Sequence, residues 1–365
     1  MTTPFDLIDL SKWAGQRFDL VQAGGGNSSY KTEESTMLIK ASGTSLSEVN
    51  VHQGFVSIDL ASLRKGLSKL RKQQETLDKE ELEVAAEDLL NKVKEKGESA
   101  RPSIETFLHA YLDTYALHTH GIVVNTIACR KNWRETFEQI YPECLCIDYK
   151  TPGIELALEL DDKVSEYIKN NGKKPSIIFL QNHGLIVSAP TAQEVKFLSE
   201  EVTIKLEQHL NISNNTYRLS SVVSESLNAV FGLNKIAYLS NDAGLRELIA
   251  NAKPLFFQRP FFPDTLVYCG SRLVVLNDFK DIETLNKFKE TVDDIPRVVI
   301  CRDLIFFIAD SVRKAREIEE VLKFHLSVLV VNITQNIKPE EIQFLGEEEL
   351  SYLAKWEAEK YRQAV

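Results

Sequence analysis

Residues 116–125 read ALHTHGIVVN: two histidines one residue apart beside an apolar run, in a chain with only seven histidines. The stretch LHTHGIVVNTIAC reads as a buried strand. Side chains alternate between the faces of a strand, so residues i and i+2 point the same way. His118 and His120 then project from one face, where both imidazoles reach a single cation; two adjacent histidines would face apart. Zinc takes about four ligands, with Zn–N near ~2.0–2.1 Å, and catalytic zinc keeps one position open. A third imidazole is therefore needed. His183 in QNHGLIVS stands at a turn after another apolar strand, beside Gly184, which allows close backbone approach. The same residues also fit half-buried structural histidines with no ion between them. His109 stands four residues after Glu105, on the same helical face, and is a candidate outer partner of the site. His52, His209 and His325 lie in turn-like or helical contexts and read as ordinary.

Upstream stand three short runs of small residues. GGGNSS at 24–29 lacks the G-x-G-x-x-G fingerprint, since Ser29 occupies the third glycine position, and no strand precedes it and no helix follows. A dinucleotide site is not expected there. What the run offers is backbone N–H groups with amide and hydroxyl side chains, able to wrap an anion. ASGTS at 41–45 is a second such loop. RPS at 101–103 is a third, at the start of a predicted helix, ETFLHAYLDTYA, whose cap is Ser103 and whose dipole favours negative charge. Each alone reads equally as a plain turn; three of them ahead of the histidine strand suggest a phosphate cradle.

Composition limits the partners. The formal net charge is -10, which repels nucleic-acid backbones, and no basic stripe offsets it. MTTPFDLIDLSKWAG lacks a basic region followed by an apolar core, so no secretory signal is read there. No apolar run approaches the roughly 18 residues of a membrane span. Five scattered cysteines fit reduced thiols better than a disulfide framework, and Cys144 with Cys146 has no second pair nearby to complete a zinc site. A cytoplasmic protein without nucleic-acid or membrane partners is expected.

The order of elements reads as α/β. DLIDLSKWAGQRF is a helix, and MLIKASG and FVSIDL are strands. Residues 62–98 are dense in Lys and Glu with Leu or Val at helical spacing, and read as a charged, solvent-exposed helical insertion without a catalytic role. A polar helix from near Asn132, a strand LCIDY and a helix from Ile154 follow. PSIIFLQNHGLIVSAP reads as two strands joined at Asn182–Gly184, and TAQEVKFLSEEVTIKLEQHLN as a long helix. The polar stretch 211–221 reads as a loop between domains, giving a domain at 1–212 and a second α/β unit at 217–365. In the latter LVYCG, RLVVLND, RVVICRD and LIFFIAD read as strands, and SVRKAREIEEVLKFHLSVLVVNI and GEEELSYLAKWEAEKYRQAV as helices.

Taken in order, GGGNSS, LIKASGTSL, RPSIETFLHAYL, LHTHGIVVN and LQNHGLIVSAPTAQEV resemble the class II aldolase/adducin head domain. Within it the likeness is to the aldolase portion of bifunctional rhamnulose-1-phosphate aldolase/alcohol dehydrogenases, through PSIE, YKTPGIELA, FFPDTLVY and WEAEKYR. The resemblance implies an α/β/α layered domain with a central, mostly antiparallel sheet, followed by a smaller C-terminal α/β unit. It implies that His118, His120 and His183 bind zinc, with manganese, cobalt or nickel as substitutes, and that Glu105 shuttles the substrate proton. It implies that Asn27, Ser42, Gly43 and Ser103 hold the substrate phosphate; Ile104 replaces a second serine and removes one donor. The implied reaction is reversible aldol cleavage of a phosphorylated ketose or related sugar through a metal-stabilised enediolate. The same site in this family serves epimerases and a dehydratase, and adducin-like descendants are non-catalytic scaffolds. A homo-oligomer is implied, with a tetramer favoured, as is a tail tyrosine in catalysis, for which Tyr352 and Tyr361 are candidates; packing is the plainer reading of both. No counterpart of the dehydrogenase portion is seen in these residues, so neither a nucleotide cofactor nor redox activity is expected.

Overall fold

A computed structural model describes residues 4–95, 99–292 and 294–355. They form two compact units, which divide between Asn214 and Asn215.

The first unit begins with helix α1 (Phe5–Gly15), then strands β1 (Asn27–Lys31), β2 (Thr36–Lys40) and β3 (Phe55–Asp59). Helices α2 (Leu60–Gln73) and α3 (Lys79–Val93) follow. Asp59 caps the first by accepting from the Ser62 N–H, and Asp78 with Glu81 forms a capping box on the second. Next come a one-turn helix α4 (Thr106–His109), strand β4 (Tyr115–Thr119), helices α5 (Ile122–Ala128) and α6 (Trp133–Ile140), and strand β5 (Leu145–Ile147). Helix α7 (Ile154–Asn171), the hairpin β6 (Ile177–Leu180) and β7 (Gly184–Ala189), and helix α8 (Ala192–Leu210) complete it. The strands form one sheet in the order β3-β2-β1-β4-β7-β6-β5. Every neighbouring pair is antiparallel except β5 with β6.

Alternation along the strands feeds two cores. Leu117, Leu185 and Val187 pack with α1, α5, α6 and α8 on one face. Ala116, Ile178 and Ile186 pack with α2, α3, α4 and α7 on the other. The unit is thus an α/β/α sandwich around a mostly antiparallel sheet. The charged stretch 62–98 is no appendage: Leu63, Leu67, Leu70, Leu82, Leu90 and Val93 are buried and seal the second face. Residues 96–98 lie outside the described part.

The second unit contains α9 (Asn215–Phe231), β8 (Ile236–Leu239), α10 (Ala243–Ala252), α11 (Pro263–Cys269), β9 (Val274–Leu276), α12 (Ile282–Thr291), the hairpin β10 (Val298–Cys301) and β11 (Leu304–Ala309), α13 (Val312–Thr334) and α14 (Glu347–Lys355). Its sheet runs β8-β11-β10-β9, with only β9 and β10 parallel. Helices α10, α11 and α13 contribute to the core on one side, and α9 and α12 to that on the other.

Five local expectations are corrected. The strand at LHTHGIVVNTIAC ends at Thr119; Ile122–Ala128 is a helix, because Val123, Val124, Ile127 and Ala128 make one buried helical face. GGGNSS is not all loop, since Asn27, Ser28 and Ser29 begin β1 and are buried. The helix expected from Glu105 lasts one turn, and the chain then bends into β4; Glu105, not Ser103, holds its N-cap position. The loop at 211–221 runs into α9, whose inner side buries Ser220, Ser221 and Ser224, so polar composition hides its period. LVYCG is helical, with Pro263 at the first position of α11 and Asp264 in the first turn.

Candidate metal centre

Strand β4 delivers His118 buried at its penultimate residue, and His120 lies just past the strand end. The turn after it is held by a hydrogen bond from the Ile122 N–H to the Asp19 carbonyl oxygen (2.9 Å). Asp19 is in turn fixed by the buried Arg17 guanidinium (Nη2–Oδ2 2.5 Å). His183 sits in the β6–β7 turn, which Asn182 enters in the left-handed region at φ 51°. The turn touches β4 so closely that a Cβ on Gly184 would lie 2.2 Å from the Thr119 carbonyl oxygen. Only glycine fits there, and it is this contact that brings His183 against His118.

Glu105 reaches the same point from the start of α4. The four ligand atoms of Glu105, His118, His120 and His183 lie within 4.8 Å of one another. His118 Nε2 is 3.0 Å from His120 Nε2 and 3.2 Å from His183 Nε2. Glu105 Oε1 is 3.5 Å from both His118 Nε2 and His183 Nε2. Two nitrogens bound tetrahedrally to one ion at zinc distances stand about 3.3 Å apart. The donor set therefore fits a divalent cation.

Hydrogen bonding agrees with that fit. A neutral imidazole carries one ring proton. His118 Nδ1 faces the Leu185 carbonyl oxygen at 3.0 Å and donates to it. Nε2 is then left as a lone pair facing the other donors, the arrangement that an outer hydrogen bond imposes on metal-binding histidines. His183 Nδ1 is sealed from solvent with no hydrogen-bond partner among the described residues. Burial, reinforced by the neighbouring His118, pushes His120 down to about 4, so its lone pair too is free at neutral pH. Burial works to raise the pKa of Glu105, but positive charge at the His118 and His183 nitrogens outweighs it and holds the carboxyl below its ordinary range; with both rings neutral, that charge is a bound cation's to supply. Glu105 is thus an ionised carboxylate directed at the same point as the imidazole nitrogens, able to serve as a fourth donor.

The residues expected to form a phosphate cradle are only partly brought together. Asn27 lies opposite His118 in the β1–β4 register, fully buried. Its Oδ1 accepts from the Ser28 N–H (2.9 Å), and its Nδ2 has no partner among the described residues. Ser42 and Gly43 are exposed, with Gly43 at φ 79°. Their loop is tied to the Arg101–Ser103 segment by an Ala41–Pro102 bridge and by the Ser42 N–H donating to the Arg101 carbonyl oxygen (2.8 Å). Ser103 Oγ accepts from the Glu105 N–H (3.3 Å), so it supports the carboxylate's own segment.

Lys40 was not among the expected residues. It is buried at the end of β2. Its ammonium donates to the carbonyls of Thr44 (2.7 Å), Ala41 (3.4 Å) and Gly24 (3.5 Å), fastening two of the small-residue loops to one cation. Burial lowers its pKa against the pull of Glu105 and Glu48. The available signal was a lysine ending an apolar strand, since lysine is rarely buried without partners. His109 does not touch the cluster: its Nδ1 pairs with Ser29 Oγ at 2.7 Å, and its buried Nε2 has no partner among the described residues. Tyr352 is exposed on α14, and Tyr361 lies outside the described residues.

Comparison with known proteins adds independent findings. The family model for the class II aldolase and adducin N-terminal domain matches residues 5–210. An uncharacterized oxidoreductase of Bacillus subtilis, YuxG, is 26% identical over 224 residues, which is 59% of this chain and 30% of that protein. The chain therefore matches less than a third of that relative's length. Among solved structures, the N-terminal class II aldolase domain of a conserved Thermoplasma acidophilum protein is similar at 24% identity and a TM-score of 0.47, covering 57% of this chain and 96% of that one. An L-fuculose-1-phosphate aldolase from Thermus thermophilus is similar at 16% identity and a TM-score of 0.35, covering 56% and 93% respectively.

Proposed function

Since the chain belongs to the class II aldolase and adducin N-terminal domain family, we propose that it is a metal-dependent lyase that reversibly cleaves a phosphorylated ketose, or a related sugar, by aldol chemistry. The observation that carries this reading is the convergence of three imidazole nitrogens and one carboxylate within 4.8 Å. A scaffold that had lost catalysis would have no reason to keep all four.

His118, His120 and His183 would hold the cation, zinc by preference, with manganese, cobalt or nickel as substitutes. When bound, it supplies Lewis-acid stabilisation of the negative charge that develops beside a carbonyl as a carbon–carbon bond breaks. Neutral imidazoles leave the dication's charge undiminished, as carboxylate ligands would not. Glu105 is the base that takes the hydroxyl proton in cleavage and returns it in synthesis. Its fixed approach to His118 and His183 keeps that proton transfer local. Asn27, Ser42, Gly43 and Ser103, with Lys40 behind two of their loops, would bind the phosphate remote from the reacting carbons and so position them. Epimerisation and dehydration use the same kind of site, and product analysis separates them from cleavage. The reading also includes assembly into a homo-oligomer, a tetramer by preference, which light scattering tests.

The deciding experiment is a retro-aldol screen. Protein reconstituted with zinc is incubated with phosphorylated ketoses, and aldehyde release is followed. Glu105→Gln is expected to keep its metal and lose turnover. Turnover at the native rate in that variant removes Glu105 from the chemistry. Metal-loaded protein that cleaves, epimerises and dehydrates nothing leaves the scaffold reading in place.

A further inference from the structure

The second unit holds a cavity of about 590 Å³, built from residues between Phe256 and Leu350 and containing none of the groups of the metal centre. Small-molecule sites run from roughly 300 to 1,000 Å³. The volume far exceeds the voids that well-packed interiors leave behind.

Its walls differ in character from floor to mouth. Phe256, Cys269, Val298 and Leu322 line it and are buried. Two polar groups are set among them: Thr265 Oγ1 and His325 Nδ1 lie 3.3 Å apart, both buried. Phe261 stacks on the His325 ring, with centroids 4.8 Å apart and planes at 15°. Burial alone lowers the His325 pKa to about 4, so this floor is uncharged at neutral pH. The mouth carries Arg259 and Arg272, both exposed. Arg259 is neutralised by Glu347, Nη2 to Oε1 3.0 Å. Arg272 has no ion pair or hydrogen-bond partner for its guanidinium among the described residues. It is presented at the rim by Gly270, which turns the chain out of α11 at φ 79°. In a chain of net charge -10, the cavity thus joins a largely apolar, uncharged floor to a guanidinium that has no partner among the described residues.

We propose that this cavity is a second binding site, for a small organic anion with an apolar body, whose acidic group pairs with Arg272 and whose body lies on Phe256, Leu322 and His325. A bare sugar phosphate would leave the floor unfilled, and a neutral hydrocarbon would leave the guanidinium unused. Carboxylate, sulfonate and phosphate monoester are the acidic groups that a guanidinium recognises.

The full-length protein is titrated with 8-anilinonaphthalene-1-sulfonate, and in parallel with N-phenyl-1-naphthylamine, which has the same rings without the charge. One saturable site per chain for the sulfonate is expected. Arg272→Glu, a surface change that leaves the core untouched, should weaken it at least tenfold, and Arg272→Lys should retain most of it. The neutral amine should bind the native protein more weakly and ignore both variants. Competition by naphthalene carboxylates against naphthyl phosphates then identifies the preferred acid. Sulfonate binding that is absent, that survives Arg272→Glu unchanged, or that the neutral amine equals, overturns the assignment.

Discussion

His118 Nδ1 stands 3.0 Å from the carbonyl oxygen of Leu185, and this contact across the β4–β7 ladder decides which nitrogen is left for a cation. The Leu185 carbonyl accepts the hydrogen bond of Nδ1–H and keeps the ring proton on that nitrogen, so Nε2 faces His120, His183 and Glu105 as a lone pair. Loss of an outer hydrogen-bond partner costs metal proteins about 10–100-fold in affinity, and loss of the ligand itself costs more. His118→Ala is therefore expected to go from about one ion per chain to almost none. Elemental analysis of tag-free protein after dialysis checks it. Full metal occupancy in the variant would make these histidines structural.

Lys40 holds the carbonyls of Thr44 and Gly24 to one ammonium. Hydrogen bonds to charged groups contribute about 1.5–3 kcal/mol each, and the Gly24 and Thr44 loops have no other such tie to each other in the bonds described above. Lys40→Met keeps the stem and removes the ammonium. On the proposed reading, KM for a phosphorylated substrate should rise roughly tenfold or more, the equivalent of one such bond, while kcat changes far less. Steady-state kinetics check it; a fall in kcat at unchanged KM would move Lys40 from substrate positioning to the chemical step.

What could be read in the sequence was what depends on short-range geometry. The alternation of a strand places His118 and sets the direction of His120, and a turn rich in Asn and Gly marks His183. Sequence spacing does not say that β7 lies beside β4; the register His118↔Ile186 is what places them together. Ile122–Ala128 is ambiguous in the sequence because a short apolar run fits a buried strand and a buried helix alike. Lys40 escaped because its partners are backbone carbonyls of three separate residues, which leave no residue-type signature. The buried serines of α9 hid a helix within a polar stretch, and the start signals at Pro263 and Asp264 were outweighed by the β-like composition of LVYCG.

His109 makes acid stability a test of the buried polar interior. Burial, with the charge of Lys31, lowers its pKa to about 3, from an ordinary 6.5. Between those values the unfolded chain binds a proton that the folded chain does not, so the folded state is favoured above pH 6.5 and loses that advantage as pH falls toward 3. At pH 5 the loss amounts to about 2 kcal/mol relative to neutral pH. His109→Phe removes this contribution and should flatten the pH dependence by about that amount, although it also strands the Ser29 hydroxyl and lowers stability at every pH. Urea unfolding of both proteins at pH 5 and 7.5 gives the difference. An unchanged slope between the two pH values would mean that His109 is already protonated in the folded protein.

Gly25 is the point at which the first glycine run touches the histidine cluster. A Cβ there would come 2.8 Å from His120 Nδ1 and 3.2 Å from its Cε1. Its backbone is not in the left-handed region, so alanine adds no conformational strain. The closest clash falls on the His120 ring, with a lesser one on the Gln22 carbonyl oxygen at 3.1 Å; the ring must rotate or shift by several tenths of an ångström and carry its Nε2 away from the other donors. Gly25→Ala is therefore expected to fold normally, with a thermal midpoint within a few degrees of the native value, about 1 kcal/mol or less, yet to bind metal at least tenfold more weakly. Gly24→Ala next to it is the control, because a Cβ there meets nothing within 4 Å. Competition with a chelator, together with a thermal melt on both variants, separates the two effects. Equal metal affinity in the two would show that the His120 ring can yield without leaving the cluster, and that the glycine run is placed for the loop's own turn and not for the histidine.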